Sequence, residues 1–222
     1  MIQTKNNDSL SLPVMEHFYT IQGEGFHQGK AAYFIRLGGC DVGCVWCDVK
    51  DSWDMEAHSK MTVSELVNAV LNNSSHTGVP ARERTKFREG ALVVITGGEP
   101  LMHNLDELTN VLQAAGLKTN METSGAHPLS GSWDWICLSP KKFKAPLPEI
   151  LTLANELKIV VFNQSDFDWA AQYATLVSPD CKLYLQPEWE KASVVTPMII
   201  EYIMQNPKWE LSLQIHKYIN VP

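Results

Sequence analysis

Three cysteines lie close together near the start of the chain, at Cys40, Cys44 and Cys47. Three residues separate the first pair and two separate the second pair, with Gly39 before the group and Gly43 inside it. Because glycine permits tight backbone turns, a loop this short can turn three sulfur atoms toward one centre. The spacing therefore predicts that the three thiols bind one shared ligand.

Cysteine thiolates are the ligands of iron–sulfur clusters, and a four-iron cluster normally takes four of them. The other cysteines, Cys137 and Cys181, lie in separate segments far along the chain. A cluster with three thiolate ligands leaves one iron open, and an open coordination position is where a metal site does chemistry. We therefore predict a [4Fe-4S] cluster on Cys40, Cys44 and Cys47. The alternatives are three unligated thiols or a structural zinc site, for which the sequence offers no paired second half nearby.

The chain has 222 residues, of which 45% are hydrophobic, enough for one domain with a substantial core. No apolar run approaches the length that spans a membrane, and the polar residues 1–10 lack the apolar core of a signal peptide. Five cysteines, an odd number, favour a reducing cytoplasm over a disulfide framework. The sequence therefore predicts a cytoplasmic protein that does not enter a membrane.

The net charge of −7 argues against a broad nucleic-acid surface, because phosphate binding relies on clustered lysine and arginine. The one dense basic run is 141–144, which reads as a solvated loop or as a local anion site. We therefore expect a small-molecule partner and no nucleic acid.

Strand-like and helix-like segments alternate along the chain, which predicts a parallel sheet with crossover helices. The predicted strands are 31–37, 91–96, 118–122, 135–138, 157–162, 182–185 and 210–215. The predicted helices follow Thr62, run from 104 to Gly116, and cover 167–174 and 197–205. Seven strands with fewer full helices indicate an α/β fold that forms a partial, open (β/α) barrel. We expect a single domain over 13–222, with a flexible tail at 1–12 and a surface insertion at 55–90.

Unusual polar clusters follow the predicted strands, at the point where each strand ends. They are residues 40–47, 97–100, 123–125, 139–141, 186–187 and 216–217. In parallel α/β folds the carboxyl ends of the strands build the active site. The sequence therefore predicts one site that these clusters share.

The cysteine spacing resembles the signature of the radical S-adenosylmethionine (SAM) enzymes. Together with six further motifs it is similar to the 7-carboxy-7-deazaguanine synthase family, with a likeness that runs from about Glu16 to the C-terminus and looks closest to the gamma-proteobacterial members. The further motifs are residues 21–25, 34–40, 96–100, 122–125, 139–141 and, at the C-terminal end, 214–218.

The resemblance implies a reaction in which 6-carboxy-5,6,7,8-tetrahydropterin becomes 7-carboxy-7-deazaguanine with loss of ammonia, as a step toward queuosine and related deazapurines. It implies a radical SAM lyase with a cluster-bound SAM, an electron donor such as a flavodoxin, and a homodimer. Two other functions share part of the pattern. A glycyl-radical activating enzyme would act on a protein, and an iron–sulfur electron carrier would usually complete four cysteine ligands.

The resemblance also implies roles for single residues. SAM contacts are expected from Trp46, Cys47, Asp48, Gly98, Glu99, Ser139, Pro140, Lys141 and Gln186, and substrate contacts from Ile21, Gln22, Gly23, Glu24, Arg36, Thr96 and Pro222. His216 is the one candidate for a catalytic side chain. Each role has a structural alternative: Trp46 as a core aromatic, Gly98 as an ordinary turn, Arg36 as a strand-end salt bridge and His216 as a structural histidine.

One position departs from the family pattern. The family usually has a threonine directly after the Cys-Asp pair, whose hydroxyl binds Mg²⁺, whereas here Cys47-Asp48 is followed by Val49. Valine keeps the shape of threonine and lacks its oxygen. The sequence therefore predicts that Mg²⁺ binds weakly or not at all, unless water, Asp51 or Ser52 replaces the lost ligand.

Overall fold

The computed structural model describes residues 10–72 and 90–222. In these residues nine strands form one sheet in the order β3-β1-β2-β4-β5-β6-β7-β8-β9. The strands are β1 Ser11–Ile21, β2 Ala31–Leu37, β3 Ser59–Thr62, β4 Leu92–Gly97, β5 Lys118–Thr123, β6 Trp135–Leu138, β7 Glu156–Val161, β8 Lys182–Pro187 and β9 Trp209–Leu211.

Six α-helices accompany the sheet in the same part of the chain. They are α1 Val63–Leu71, α2 Asp106–Ala114, α3 Pro148–Leu153, α4 Ser165–Ala174, α5 Ala192–Gln205 and α6 Ile215–Ile219. Single turns of 3₁₀ helix lie at 50–52, 55–57, 100–102 and 189–191. Across 10–72 and 90–222, every helix is too short or too polar to traverse a bilayer.

The sheet is open and mostly parallel, as the sequence predicts. β2 and β4 to β9 run parallel to one another, and they correspond to the seven predicted strands. β1 pairs antiparallel with β2 and with β3, which places β3 at one edge and β9 at the other. Because the two edges do not pair, the fold is a partial barrel.

The first strand begins at Ser11 and therefore takes the last two residues of the expected flexible tail, while residues 1–9 lie outside the described part of the chain. Leu12 is 2% exposed and packs in the same hydrophobic cluster as Leu66 of α1. Ser11 to Val14 also form a ladder with β3. The prediction of a tail over 1–12 is therefore wrong at its C-terminal end, because Leu12 is a core residue.

The predicted surface insertion at 55–90 is also wrong for the residues that the structure describes up to 72. β3 belongs to the sheet, and α1 buries Leu66 and Val70 completely. The predicted capping box is present: Glu65 N–H donates to the Thr62 hydroxyl and Thr62 N–H donates to the Glu65 carboxylate. Residues 73–89, the remainder of the predicted insertion, lie outside the described residues.

Two further boundaries differ near the C-terminus. The predicted strand 210–215 ends at Leu211, because Ser212 turns its hydroxyl toward Gln186, and residues from Ile215 onward form α6. α5 begins at Ala192 and holds Pro197 inside it, whereas the sequence predicts a helix that opens at Pro197. The earlier start follows from the preceding 3₁₀ turn, whose first N–H groups are capped by Glu188.

The burial of α1 gives a stability prediction. Leu66→Ala removes a fully buried side chain and should lower the free energy of unfolding by about 2–5 kcal/mol, the usual effect of a cavity in a core. Asn68→Ala on the exposed face of the same helix is the matched control, and should stay within about 0.5 kcal/mol. Urea titration followed by circular dichroism measures both. Equal effects of the two changes would mean that α1 does not belong to the core.

Candidate active site

A pocket lies at the carboxyl ends of the parallel strands, where the sequence predicts the site. Every predicted site residue except Pro140 lines it, together with Val49. Pro140 is buried behind the wall that Ser139 and Lys141 form. The structure therefore brings together the polar clusters that follow separate strands.

The three-cysteine loop forms one wall of this pocket. Gly39 and Gly43 have φ values of +101° and +74°, left-handed conformations that glycine adopts at little cost. Burial raises the pKa of the Cys40 thiol, while backbone N–H groups of Val42 and Gly43 lower it by hydrogen bonding to the sulfur. Such N–H groups are fitting partners for a metal-bound thiolate.

The loop supplies a donor set that fits an iron–sulfur cluster. The pKa of Cys44 is raised to about 11, mainly by burial, with the charge of Lys141 opposing the shift and the charges of Cys47 and Cys40 adding to it. Cys40 and Cys44 are therefore near neighbours whose raised pKa values favour the protonated thiols until a metal replaces the protons. Within 10–72 and 90–222 no three His, Cys, Asp or Glu side chains already stand in a metal-binding arrangement.

Gly98 is required by the path of the backbone. A Cβ atom at Gly98 would lie 2.0 Å from the carbonyl oxygen of Gly39, which accepts a hydrogen bond of 2.8 Å from Glu99 N–H. The family resemblance implies that Gly98 contacts SAM. The structure shows a nearer reason, since the chain entering the cysteine loop crosses the end of β4 at this point.

The carboxylate of Glu99 binds protein donors on both of its oxygens. Oε1 accepts from the Thr123 hydroxyl at 2.5 Å and from Leu101 N–H at 3.1 Å. Oε2 accepts from Ser124 N–H at 2.8 Å and from the Ser124 hydroxyl at 2.5 Å. Because four donors fill the acceptor positions of a side chain that is 1% exposed, Glu99 joins the ends of β4 and β5. Glu99 also lines the pocket, and its contact with SAM stays a prediction.

Lys141 approaches the cysteine loop from the opposite wall. Its amino group donates to the Ser139 hydroxyl at 2.6 Å and lies 5.2 Å from the centre of the Trp46 ring. Burial lowers the pKa of Lys141, and the negative charge of a Cys44 thiolate opposes that effect. The reading of Lys141 as part of a solvated loop is therefore wrong, whereas exposed Lys142 forms an ion pair with Asp166 at 2.5 Å.

The turn that follows β1 forms the floor of the pocket. Gln22 donates from Nε2 to Glu122 Oε1 at 2.8 Å and accepts from Glu24 N–H at 3.1 Å. The Thr96 hydroxyl lies 3.5 Å from Glu122 Oε2. Sequence reasoning named Gln22, Glu24 and Thr96 but gave no role to Glu122, whose carboxylate connects two of them.

Glu24 is held by two residues that the sequence analysis did not select. Lys158 forms a buried ion pair with Glu24 Oε2, and Gln214 donates to Oε1 at 2.9 Å. Burial alone raises the pKa of Glu24, but the charge and hydrogen bond of Lys158, the hydrogen bond of Gln214 and the charge of His216 bring it to about 2. The sequence signal that could have indicated this ion pair is a lysine inside the otherwise apolar part of strand β7.

Gln186 also stabilises this turn from the opposite side. Its Oε1 accepts from the Ser212 hydroxyl at 2.8 Å, and Ser212 in turn accepts from Gly25 N–H at 2.9 Å. Gln186 therefore lines the pocket and at the same time links β8 to the turn after β1.

Arg36 forms the salt bridge of its structural alternative, and its substrate contact stays a prediction. Its Nε donates to Glu16 Oε1 at 2.7 Å, which is the strand-end salt bridge. Arg36 also lines the pocket, and a guanidinium carries further N–H donors beyond Nε.

The C-terminal residues close over the same turn. Ile215 N–H donates to the Gly23 carbonyl at 3.0 Å, and a Cβ atom at Gly23 would lie 2.1 Å from Nδ1 of His216. Burial lowers the pKa of His216, while the negative charge of Glu24 opposes it. Pro222 also lines the pocket, so the turn after β1 and the C-terminal residues form one side of it.

Val49 lines the pocket without offering a metal ligand. Its carbonyl oxygen accepts from the Ser52 hydroxyl at 2.6 Å, so that hydroxyl is engaged. Asp51 is exposed and does not line the pocket, and Asp48 forms an ion pair with Lys217 at 2.9 Å. Of the two side chains predicted as substitutes for the missing threonine oxygen, Asp51 therefore lies outside the pocket and Ser52 lines it, with its hydroxyl hydrogen donated to Val49.

Known proteins resemble this chain along almost all of its length. Residues 21–142 match the family described as 4Fe-4S single cluster domain. Relatives named 7-carboxy-7-deazaguanine synthase are 50% identical in Flavobacterium psychrophilum, covering 95% of this chain and 93% of theirs, and 47% identical in a Synechocystis strain, covering 96% and 95%. The Escherichia coli K12 protein of that name is 34% identical, covering 96% and 100%.

A solved structure is also similar to this chain. The crystal structure of QueE from Escherichia coli superimposes with a TM-score of 0.75 at 30% identity, covering 91% of this chain and 93% of that one. The identities do not follow the expected likeness to gamma-proteobacterial members, since the Flavobacterium protein is more similar than the E. coli protein. On this identity and coverage, the chain belongs to the 7-carboxy-7-deazaguanine synthase family of radical SAM enzymes.

Proposed function

We propose that the protein converts 6-carboxy-5,6,7,8-tetrahydropterin into 7-carboxy-7-deazaguanine with release of ammonia. The observation that carries this proposal is that the three-cysteine loop and the polar turn after β1 line the same pocket. A radical generated beside the cysteine loop would therefore meet a small polar ring held by the turn. The names of the relatives support the same reaction.

The cofactors would be held by the wall that contains the cysteine loop. Cys40, Cys44 and Cys47 would bind a [4Fe-4S] cluster, whose open iron would bind SAM. When bound, this pair supplies a 5′-deoxyadenosyl radical after one-electron reduction. The Trp46 ring offers an apolar wall for adenine, and Ser139 and Lys141 offer polar contacts beside it.

The substrate would be held by the opposite wall. An aminopyrimidine edge presents N–H donors, which match the carboxylate acceptors of Glu24 and Glu122. The carboxylate of the substrate matches the guanidinium of Arg36, which Glu16 orients through Nε. His216 and Pro222 would cover the bound ring and keep water from the reacting atoms.

The reaction also implies partners. The cluster must receive one electron, and a donor such as a flavodoxin would approach the cysteine loop, where Val45 is 67% exposed. A homodimer is consistent with the family resemblance. A location in the reducing cytoplasm is consistent with five cysteines that are all free. The substrate is a small molecule, and the net charge of −7 disfavours nucleic acid.

A glycyl-radical activating enzyme and an electron carrier explain less of the site. An activating enzyme has to admit a peptide backbone, whereas this pocket is floored by the nearly buried Gln22 and Lys158. An electron carrier has no use for the ordered acceptors of Glu24 and Glu122 beside the cysteines.

The decisive experiment is an anaerobic assay of the reconstituted protein with SAM, dithionite and the carboxypterin. We expect 7-carboxy-7-deazaguanine and ammonia in equal amounts, with little net consumption of SAM because the abstracted hydrogen returns. Chromatography with mass detection measures the products. Formation of 5′-deoxyadenosine without the deazaguanine product would contradict the proposed substrate. Absence of both 5′-deoxyadenosine and the deazaguanine product would indicate an electron carrier.

Cluster ligation can be tested separately from turnover. Reconstituted protein should carry about four irons per chain, the content of one cubane cluster. Cys137→Ala and Cys181→Ala should keep that content, because both thiols are buried and neither lines the pocket, whereas Cys44→Ala should lose most of it. Iron analysis and the brown absorbance measure the cluster. Loss in Cys137→Ala with retention in Cys44→Ala would overturn the assignment.

The Val49 substitution gives a metal prediction. Because Val49 offers no side-chain oxygen, Mg²⁺ should bind weakly. Turnover should therefore change less than about twofold between chelator and millimolar Mg²⁺. Val49→Thr should gain Mg²⁺ affinity by isothermal titration calorimetry and gain metal stimulation. Strong saturable stimulation of the native protein that Val49→Thr does not increase would contradict this prediction.

A further inference from the structure

Lys158 is a buried cation in the centre of the sheet. It lies on β7 between Leu157 and Ile159, which pack into the hydrophobic core on the outer face. Its own side chain points to the inner face, lines the pocket and is only 5% exposed. A lysine that is removed from water needs a close anionic partner, since an unpaired buried charge is strongly unfavourable.

That partner is Glu24, which comes from the turn after β1, 134 positions away in the chain. The two side chains form an ion pair, and Gln214 binds the other carboxylate oxygen at 2.9 Å. The side chain of Glu24 is 15% exposed and also lines the pocket. Glu24 therefore stands between Lys158 and the space where a ligand would bind.

Other acidic groups face Lys158 but are bound to different donors. Glu156, two residues before it on β7, accepts on Oε2 from the Trp135 indole N–H at 3.0 Å, and burial raises its pKa. Glu122 on β5 accepts from Gln22 and Thr96. The Cys137 thiol on β6 is also near, and burial raises its pKa well above its usual range. Among these groups, the geometry assigns the ammonium of Lys158 to Glu24.

We propose that Lys158 is a positioning residue which keeps Glu24 ionised and oriented as a hydrogen-bond acceptor for the N–H donors of the substrate ring, without itself binding the substrate. The inference rests on the proposed function, because it takes the ring to be an aminopyrimidine. Lys158 would then affect substrate binding through Glu24 and not by direct contact.

Two opposing effects act on Glu24. Burial favours the protonated acid, and the charge and hydrogen bond of Lys158 favour the carboxylate. Without Lys158 the burial effect prevails, so Glu24 becomes a neutral acid that presents a donor where the substrate also presents donors. His216 on α6 and Lys141 after β6 also act on this pair, but both remain when Lys158 is replaced. The loss of affinity should therefore shrink as the pH rises and Glu24 ionises again.

The experiment measures the Kd of 6-carboxy-5,6,7,8-tetrahydropterin for reconstituted protein with SAM, by anaerobic calorimetry without reductant. Lys158→Met should raise the Kd at neutral pH by about tenfold or more, since hydrogen bonds to charged groups are worth that much. Between about pH 6 and about pH 9 the ratio of variant to native Kd should fall, because only the variant titrates Glu24 in that range. Lys158→Arg should restore most of the affinity, and Lys182→Met at the exposed start of β8 is the matched control.

A double-mutant cycle separates positioning from direct contact. Glu24→Gln should weaken binding in the native background and change it less than about twofold in Lys158→Met, because residues that act through one another are not additive. Additive losses, or a pH-independent ratio, would overturn the inference and make Lys158 a substrate contact. The Lys158→Met/Glu24→Gln protein removes both charges, so it serves as the reference if Lys158→Met alone fails to fold. Failure of the native protein to bind the pterin would instead contradict the proposed function.

Discussion

The site depends on one close approach between two segments of backbone. The chain that leaves β2 crosses the end of β4, where the Gly39 carbonyl lies against Gly98 and accepts from Glu99 N–H. No side chain fits at Gly98 against the Gly39 carbonyl, and the φ of +101° at Gly39 is a left-handed conformation that favours glycine, so this crossing depends on both glycines. Glu99 then ties this crossing to the end of β5 through Thr123 and Ser124. The polar motifs after β4 and β5 therefore act first as the support of the cysteine loop.

The opposite wall is built on a second principle, in which buried charges replace apolar packing. The inner face of a closed barrel is normally filled by branched apolar side chains. Here the inner faces of β5 and β7 carry Glu122, Glu156 and Lys158. Each of these groups is bound by polar partners from the turn after β1 or from a neighbouring strand. An open sheet can keep such an interior, because the space it encloses is meant for a polar ligand.

Sequence reasoning predicted the parallel part of the fold because its strands are continuous apolar runs, as in β4. It did not predict β1. The register of this strand shifts between Val14 and Glu16, which breaks the alternation that marks a strand. The site was predicted where residues form short motifs after strands. Glu122 and Lys158 lay outside those predicted roles, because a charged residue inside a strand gains its meaning from partners far away in the chain.

The burial of two cysteines also limits how the protein responds to air. Burial holds the pKa of Cys137 well above its usual range and raises that of Cys181 to about 12, and neither thiol lines the pocket, whereas Cys40, Cys44 and Cys47 line it together. When oxygen destroys a cluster, the thiols released to oxidation are therefore those of Cys40, Cys44 and Cys47. A disulfide formed among these three leaves the core untouched, and a mild thiol reductant reverses it. Oxidative damage is thus confined to a loop that can be repaired without unfolding the domain.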